Sequence, residues 1–417
     1  MKLFLVLLSF ALAECASCLA AFPGAEGFGA EAAGARTGTV YVVTNKNDTG
    51  AGSLRDALSA KGRTVVFAVG GREISVPKKP VIQIKDRIVV PAHTTILGQT
   101  APGGGITVYG NGWSFSNSNN TIIRYLRIRM GKSGSSGKDA IGIADGNTMI
   151  FDHLSVSWGR DETFSINGSG ANITIQNSII GQGLETHSCG GLIQTSGGVS
   201  LFRNLYIDNQ TRNPKVKGGG GGGYIAGGDS EGQSYVNIMG NYFISGPNTS
   251  ITAFSRSNAN FHGYVSGNYY DSDKNGILDG SAIAATSSNY GEMVIMDTQY
   301  TYPAPTKLLT PPQAVDLAIK SVGASLVRDS IDTRLISELQ SYGTTGELIT
   351  DETASPMSGP GTIDPGTVAL DTDGDGIPDS VEVKMGTDPN VADSMNIGAS
   401  GYTNIEMWAN SLVPSSY

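Results

Sequence analysis

Ile173-Thr174-Ile175-Gln176-Asn177-Ser178 is six residues long and decides the fold. Its apolar side chains fall on every second position, so they share one face of an extended strand, and an Asn then breaks the alternation. The same shape appears at Met149-Ile150-Phe151-Asp152-His153-Leu154 and at Val199-Ser200-Leu201-Phe202-Arg203-Asn204-Leu205. Val236-Asn237-Ile238-Met239-Gly240-Asn241-Tyr242 and Phe261-His262-Gly263-Tyr264-Val265-Ser266-Gly267-Asn268-Tyr269 repeat it, and Tyr125 takes the matching place in Ile122-Ile123-Arg124-Tyr125-Leu126. From Tyr125 through His153, Asn177, Asn204 and Asn241 to Asn268 the steps are 28, 24, 27, 37 and 27 residues. A constant strand with a variable step is the mark of a solenoid whose loops absorb insertions. Helical repeats are excluded, because the period within each unit is two. A sandwich with Asn scattered through its turns is the competing reading, and it gives no reason for the spacing. The expectation is an all-β chain, a right-handed parallel β-helix, with Asn177, Asn204, Asn241 and Asn268 stacked at one turn and His153 as a ladder residue.

Outward from this repeat the chain changes character at both ends. Residues 1–20 read as a signal peptide: Lys2, an apolar run from Leu3 to Ala13, then small residues up to a cleavage position after Ala20. Nothing later is long and apolar enough to span a membrane, so an exported, extracellular protein is expected. The leader also contains Cys15 and Cys18, which leaves Cys189 alone and allows no internal disulfide. Residues 21–310 form the solenoid. Within 311–341, Val315, Ala318, Ile319 and Val322 fall on one helical face, and Ile331, Leu335, Ile336 and Leu339 on another. Two short helices packed on the end or side of the solenoid are expected there. Residues 342–367 are rich in Gly, Pro, Ser and Thr and read as a linker, and 368–417 form an acidic tail. The net charge of −9 argues against nucleic acid or an anionic membrane as a partner, and a monomer is expected. Six Asn-x-Ser/Thr sequons, at Asn47, Asn119, Asn167, Asn172, Asn209 and Asn248, are glycosylation acceptors in a secreted chain.

Four groups of residues bear on chemistry. Arg212, Lys215 and Lys217 gather three cations on a short stretch of an acidic protein, which suits a carboxylate polymer as ligand. A solvated edge-strand cluster is the bland alternative. Asp139 and the pair Asp161-Glu162 stand about one repeat apart, so neighbouring coils would bring their oxygens to one Ca²⁺; turn formers have the same spelling. In the tail, Asp371, Asp373, Asp375, Asp379 and Glu382 occupy positions 1, 3, 5, 9 and 12 of a calcium loop with Gly376 at position 6, although Pro378 and the lack of an entering helix depart from an EF-hand. Asp271, Asp273, Asn275 and Asp279 begin a second such loop, in which Ala282 stands where the bidentate Glu belongs. The glycine run Gly218–Gly223 lacks the Lys and Ser/Thr of a phosphate loop and reads as a flexible loop.

Together these residues resemble polysaccharide lyase family 1, the pectate lyases, and in particular a secreted fungal and bacterial branch. Ala21-Phe22-Pro23-Gly24-Ala25-Glu26-Gly27-Phe28-Gly29, Gly50-Ala51-Gly52-Ser53-Leu54-Arg55, Ile96-Leu97-Gly98-Gln99-Thr100-Ala101-Pro102-Gly103, Gly323-Ala324-Ser325 and Arg328-Asp329-Ser330-Ile331-Asp332 look like its motifs. Ile150-Phe151-Asp152-His153 is similar to the family's Trp-Ile-Asp-His, and Arg212-Asn213-Pro214-Lys215-Val216-Lys217 to its Arg-x-Pro-x-x-Arg, with Lys217 for the second Arg. The resemblance implies a Ca²⁺-assisted β-elimination on de-esterified polygalacturonate, with Arg212 as the base at C5. It places Lys215, Lys217 and His187 at substrate and Asp139 and Asp161 at the metal. Ser165 stands where a further ligand carboxylate is common, so either Glu162 substitutes or the site is weaker. Arginine is ordinarily protonated, so that role demands a cation-rich site and an alkaline optimum. A glycoside hydrolase would need paired carboxylates flanking the bond, and adjacent Asp161 and Glu162 on a strand point to opposite faces. A pectin lyase acting on methylated polymer and a non-catalytic pectin-binding β-helix remain the alternatives.

Overall fold

The period-two segments become the walls of a coil. A computed structural model describes residues 19–69, 81–184, 186–216, 232–250, 252–254 and 257–414. Most of the expected leader, Lys217 and the glycine run lie outside the described residues.

Three parallel sheets run the length of the coil. Sheet 1 has seven strands, Thr39–Val43, Arg63–Phe67, Thr94–Leu97, Thr121–Arg124, Asn147–Asp152, Ala171–Gln176 and Val199–Phe202. Sheet 2 has six, from Ile82–Gln83 through Ile106–Tyr109, Leu126–Arg129, Ser155–Ser157 and Ile179–Gly181 to Leu205–Ile207. Sheet 3 also has six, from Ile88–Val89 through Trp113–Ser114, Ile141–Ile143, Phe164–Gly168 and Leu192–Thr195 to Lys215–Val216. The chain visits the three sheets in turn, so each strand pairs with the strand one coil earlier and one coil later. This is the expected parallel β-helix. The later coils continue in two smaller sheets, with Ser234–Met239 beside Phe261–Ser266 and Tyr242–Ile244 beside Tyr269–Asp271.

Register sorts the side chains. In sheet 1, Val65, Ile96, Ile123, Phe151, Ile175 and Leu201 are successive partners and point inward into one continuous core. Their neighbours Thr95, Thr174 and Ser200 point outward and receive the backbone N–H groups of Ala35, Gly29 and Phe28. A strap made of residues 21–36 therefore lies across the outer face of sheet 1. Gly29 permits the approach, because a Cβ there would run into the Met149 carbonyl.

The corner after sheet 1 takes a left-handed residue in four successive coils, and Tyr125, His153, Asn177 and Arg203 supply it at φ between 51° and 55°. Here the expected Asn ladder is corrected. Asn177 aligns with Arg203 rather than Asn204, because Gln176 pairs with Phe202 and the step is 26 residues rather than 27. Asn177 instead accepts from Arg203 Nε at its Oδ1 (3.0 Å) and donates through its Nδ2 to Asp152 (3.1 Å). Asn204, Asn241 and Asn268 occupy the next position. There Asn204 and Asn268 each donate to a carbonyl of the preceding coil, at Ile175 and Ile238, and Asn241 donates to Asn268. His153 does stack on Tyr125, with ring centroids 4.5 Å apart and planes 8° from parallel.

Both expected helices form, at Pro311–Ser321 and Ser330–Gln340, and they lie on the side of the solenoid, against Tyr109, Ile179 and Leu205 of sheet 2 and Trp158 just past its strand Ser155–Ser157. Arg127 and Arg129 project from that sheet, fully buried. Arg129 pairs with Asp329, the N-cap of the second helix, and with Asp332 (2.9 Å), while Ser155 donates to Asp332 (2.6 Å). The stretch 342–367 lies against sheet 2 as well, where the buried Glu352 accepts from the Tyr109 hydroxyl (2.6 Å) and the Lys132 N–H (2.9 Å). The tail forms helices Asp379–Met385 and Asn404–Ser411, and Ile377 of the loop before the first and Ile405 and Trp408 of the second pack on Val66 and Leu97 at the first coils of sheet 1. No helix among the described residues is long and apolar enough to cross a membrane.

Candidate active site

Sheet 3 sets the spacing of the acidic residues. Its strand Ile141–Ile143 pairs with Phe164–Gly168 so that Asp139 and Glu162, each two residues upstream, sit side by side on neighbouring coils. The Glu162 N–H donates to Asp139 Oδ1 (3.2 Å) and the Ala140 N–H to the Glu162 carbonyl (3.1 Å). Glu162, Cys189 and Thr211 then follow one another by parallel bridges, which leads the column to Arg212. Asp139, Asp161 and Glu162 come together, with one oxygen from each within 4.8 Å of the others. Burial, and then the neighbouring Asp161, hold the Asp139 carboxyl up at about 6, against the opposing pull of Arg87, Lys138 and Arg212. Cys189 is pushed up to about 11 by burial and by Asp161 and Asp139, so it is an inert thiol in the wall of the site.

Arg212 has a left-handed backbone (φ 56°), its carbonyl accepts from the Gly191 N–H (2.7 Å), and its guanidinium donates to Glu162. The expected base and the expected metal carboxylates are thus one constellation. His187 lies at its edge, with Nε2 3.9 Å from Asp161 Oδ1, and Lys215 begins the strand that follows Arg212. Ser165 is buried, and its hydroxyl accepts from the Leu192 N–H (3.1 Å), leaving Glu162 as the third carboxylate beside Asp139 and Asp161. Sequence reasoning missed Arg87, whose Nη2 bonds the Trp113 carbonyl (2.9 Å) and whose charge opposes the upward shift of Asp139. The signal was present: Arg87 stands just before Ile88, the residue that aligns with Trp113 and Ile141.

Three further carboxylate clusters assemble elsewhere. In the tail, Asp371, Asp373 and Asp375 form one cluster, and Asp375, Glu382 and Asp393 a second. Asp379 turns away, accepting from the Thr372 N–H and hydroxyl (both 2.7 Å), while Asp393, which loop spacing does not mark, enters. Both Glu382 oxygens are buried without a hydrogen-bond partner, and burial, then Asp375 and Asp373, raise that carboxyl to about 7. Gly376 lets this loop sit on sheet 1, since a Cβ there would come within 2.9 Å of Val40 and 3.0 Å of Val66. Asp271, Asp273 and Asp279 form the remaining cluster, at a hairpin turn. Among the sequons, Asn209 is buried, with its Nδ2 bonded to the Ile180 carbonyl and to Asn213, which removes it as an acceptor for a glycan.

Residues 3–225 match the family model for pectate lyase, and residues 371–392 match that for a bacterial TSP3 repeat. A probable pectate lyase C of Neosartorya fischeri is 66% identical over 98% of this chain and 97% of its own length. The chain belongs to the pectate lyase family. A probable pectate lyase C of Emericella nidulans is 62% identical over 97% of this chain and 96% of its own. Among solved structures, the thermostable pectate lyase PL 47 is similar at 15% identity and a TM-score of 0.49, over 72% of this lyase and 97% of that chain.

Proposed function

We propose that this lyase is a secreted enzyme that cleaves de-esterified polygalacturonate by Ca²⁺-assisted β-elimination at the Arg212 site. The observation that carries the reading is the contact of the Arg212 guanidinium with Glu162, inside the cluster that Glu162 forms with Asp139 and Asp161. The donors suit a hard cation. All three are carboxylate oxygens, and the upward shift of Asp139 records its burial and then the repulsion of Asp161, both of which a divalent ion relieves. Bound there, Ca²⁺ supplies positive charge against the uronate carboxylate next to the carbon that ionises.

The chain's own residues do the rest. Glu162 aims the Arg212 side chain. The neutral guanidine form of Arg212, available only at alkaline pH, takes the C5 proton on a nitrogen and becomes the guanidinium, while the departing glycosidic oxygen takes a proton from water. As the C5–H bond breaks, the electron pair forms the C4–C5 double bond and the C4–O glycosidic bond parts, leaving an unsaturated sugar. Lys215, Lys217 and His187 bind substrate carboxylates. Polygalacturonate incubated with the enzyme yields an ultraviolet-absorbing unsaturated product, and EDTA suppresses it. Arg212→Ala lowers the rate about 10²- to 10⁴-fold while substrate binding survives. Undiminished cleavage in EDTA, or saturated fragments, would overturn the reading. N-terminal sequencing of protein from culture medium, expected to start at Ala21, tests secretion.

A further inference from the structure

Tyr269–Asp271 has a parallel neighbour, Tyr242–Ile244, on one side and an antiparallel neighbour, Ser281–Ala282, on the other. This is the one antiparallel pairing of strands among the described residues. It ends a row of parallel strands by folding the chain back over an edge that would otherwise offer unpaired backbone groups. Burial does little to hold it, because the strand is two residues long and both are exposed. Just beyond it Ile283 ties the strand to the wall, with its N–H on the Asn268 carbonyl (2.8 Å) and its side chain partly buried against the core, and the turn, residues 271–280, holds the other end.

That turn is built around charge. Asp271 is only 3% exposed, and its Oδ2 is buried without a hydrogen-bond partner. Oxygens of Asp271, Asp273 and Asp279 lie within 4.8 Å of one another. The one cationic side chain of the turn, Lys274, reaches away from them to the carbonyls of Thr249 (2.8 Å) and Pro247 (3.2 Å). Asn275 Nδ2 sits between the two outer carboxylates, 2.7 Å from Asp273 Oδ2 and 3.3 Å from Asp279 Oδ2, so turning the amide over would bring its oxygen to the same place. Lys274 (φ 59°) and Gly276 (φ 85°) curl the backbone around this space. Backbone N–H groups of Asp279 and Asp273 offset part of the cost of burying Asp271, but an oxygen left buried without a partner is costly, and two more carboxylates beside it add to the cost. Burial, then Asp273, shifts the Asp271 carboxyl upward, as that crowding demands. A hard divalent cation removes the penalty, and oxygens at positions 1, 3, 5 and 9 with Gly at 6 are the donors Ca²⁺ takes. Position 12 is Ala282, already committed to the capping strand, so the bidentate ligand is lacking and the affinity belongs with weak extracellular sites, about 10⁻⁴ to 10⁻³ M.

We propose that the turn from Asp271 to Gly280 is a Ca²⁺ site separate from the catalytic and tail clusters, and that its ion pins the antiparallel strand capping the late coils. It does not depend on the catalytic reading. The test uses the full chain. Calcium stoichiometry is measured by titration calorimetry, and amide hydrogen exchange of residues 269–283 is followed with Ca²⁺ and with EDTA, for wild type and for Asp273→Ala/Asp279→Ala. Those two carboxylates are exposed, so the variant retains the fold. Wild type should show at least about tenfold slower exchange of 269–283 in Ca²⁺. The variant should lose this protection and one calcium equivalent, with cleavage at saturating Ca²⁺ and protection of 379–385 unchanged. Absence of Ca²⁺-dependent protection at 269–283 in wild type overturns the proposal, as does unchanged stoichiometry in the variant. Should the double variant misfold, Asp271→Asn replaces it, and the wild-type exchange still decides.

Discussion

Asp152 has four partners at the left-handed corner: Arg124 Nε at 2.9 Å, His153 Nδ1 at 2.8 Å, Gln176 Nε2 at 2.9 Å and Asn177 Nδ2 at 3.1 Å. Burial by itself would raise this carboxyl, but His153 and Arg124 outweigh it and hold it far below the usual carboxylate range. The unfolded chain therefore takes up the proton first. The stabilisation is complete above the ordinary aspartate range and is lost as pH falls through it toward the folded value. Asp152→Asn leaves Arg124 buried and uncompensated, at a cost of about 3–5 kcal/mol at neutral pH, and it flattens the acid limb. Denaturant unfolding at pH 7 and at pH 3 checks both effects. At the proposed metal cluster beside Arg212, Glu162→Gln removes one charge from the trio and the acceptor of the Arg212 guanidinium. The calcium needed for half-maximal rate should rise by at least about tenfold, read from rates against free Ca²⁺. Legibility at this scale was uneven. Asp139, Glu162 and Arg212 were readable because a repeat converts sequence spacing into adjacency. Asn177 was misplaced because Asn is a common turn residue, whereas the position wants only a left-handed backbone and takes Tyr, His, Asn or Arg. Counting four residues from the first inward apolar residue, Ile173 or Val199, leads to Asn177 and Arg203 and would have given the register.

The elements outside the coil are held by ions rather than by grease alone. Helix Ser330–Gln340 presents Asp329 and Asp332 to the buried Arg129, so each partner exists only because the other does. Arg129→Met should cost about 3–5 kcal/mol, since two buried carboxylates are then left to share Arg127, 3.5 Å from Asp332 and 3.9 Å from Asp329, and calorimetry should report the lower melting temperature. This anchor was legible only as a motif, because the pairing spans some two hundred residues and no local period announces it. The tail loop was legible through its alternating acids, yet the handover from Asp379 to Asp393 was not, because it depends on how 379–393 folds back. For the tail we expect calcium at a hundredfold excess over its dissociation constant to add about 2.7 kcal/mol, seen as a melting temperature that drops in EDTA. Asp375, shared by both clusters, is the residue whose change to Asn should erase that difference.

At the scale of the molecule, the two ends of the chain meet on sheet 1. The strap of residues 21–36 is fastened to Thr95, Thr174 and Ser200, and Arg36 then reaches Glu406 of the last helix (3.0 Å). Trp408 and Ile405 close over Val66 and Leu97. Trp408→Ala should cost about 3–5 kcal/mol and raise protease sensitivity in the tail before the coils give way. The repeat told where the wall stands but not what leans on it, because outward positions of a strand look polar whether water or another segment covers them.

The order of synthesis gives this arrangement a consequence. Val66 and Leu97 leave the ribosome about three hundred residues before Ile405 and Trp408, which roof them. A nascent chain must carry that apolar face uncovered until those residues emerge, and a chain cut short before them carries it permanently. Shortened products of this protein should therefore be the ones that chaperones retain.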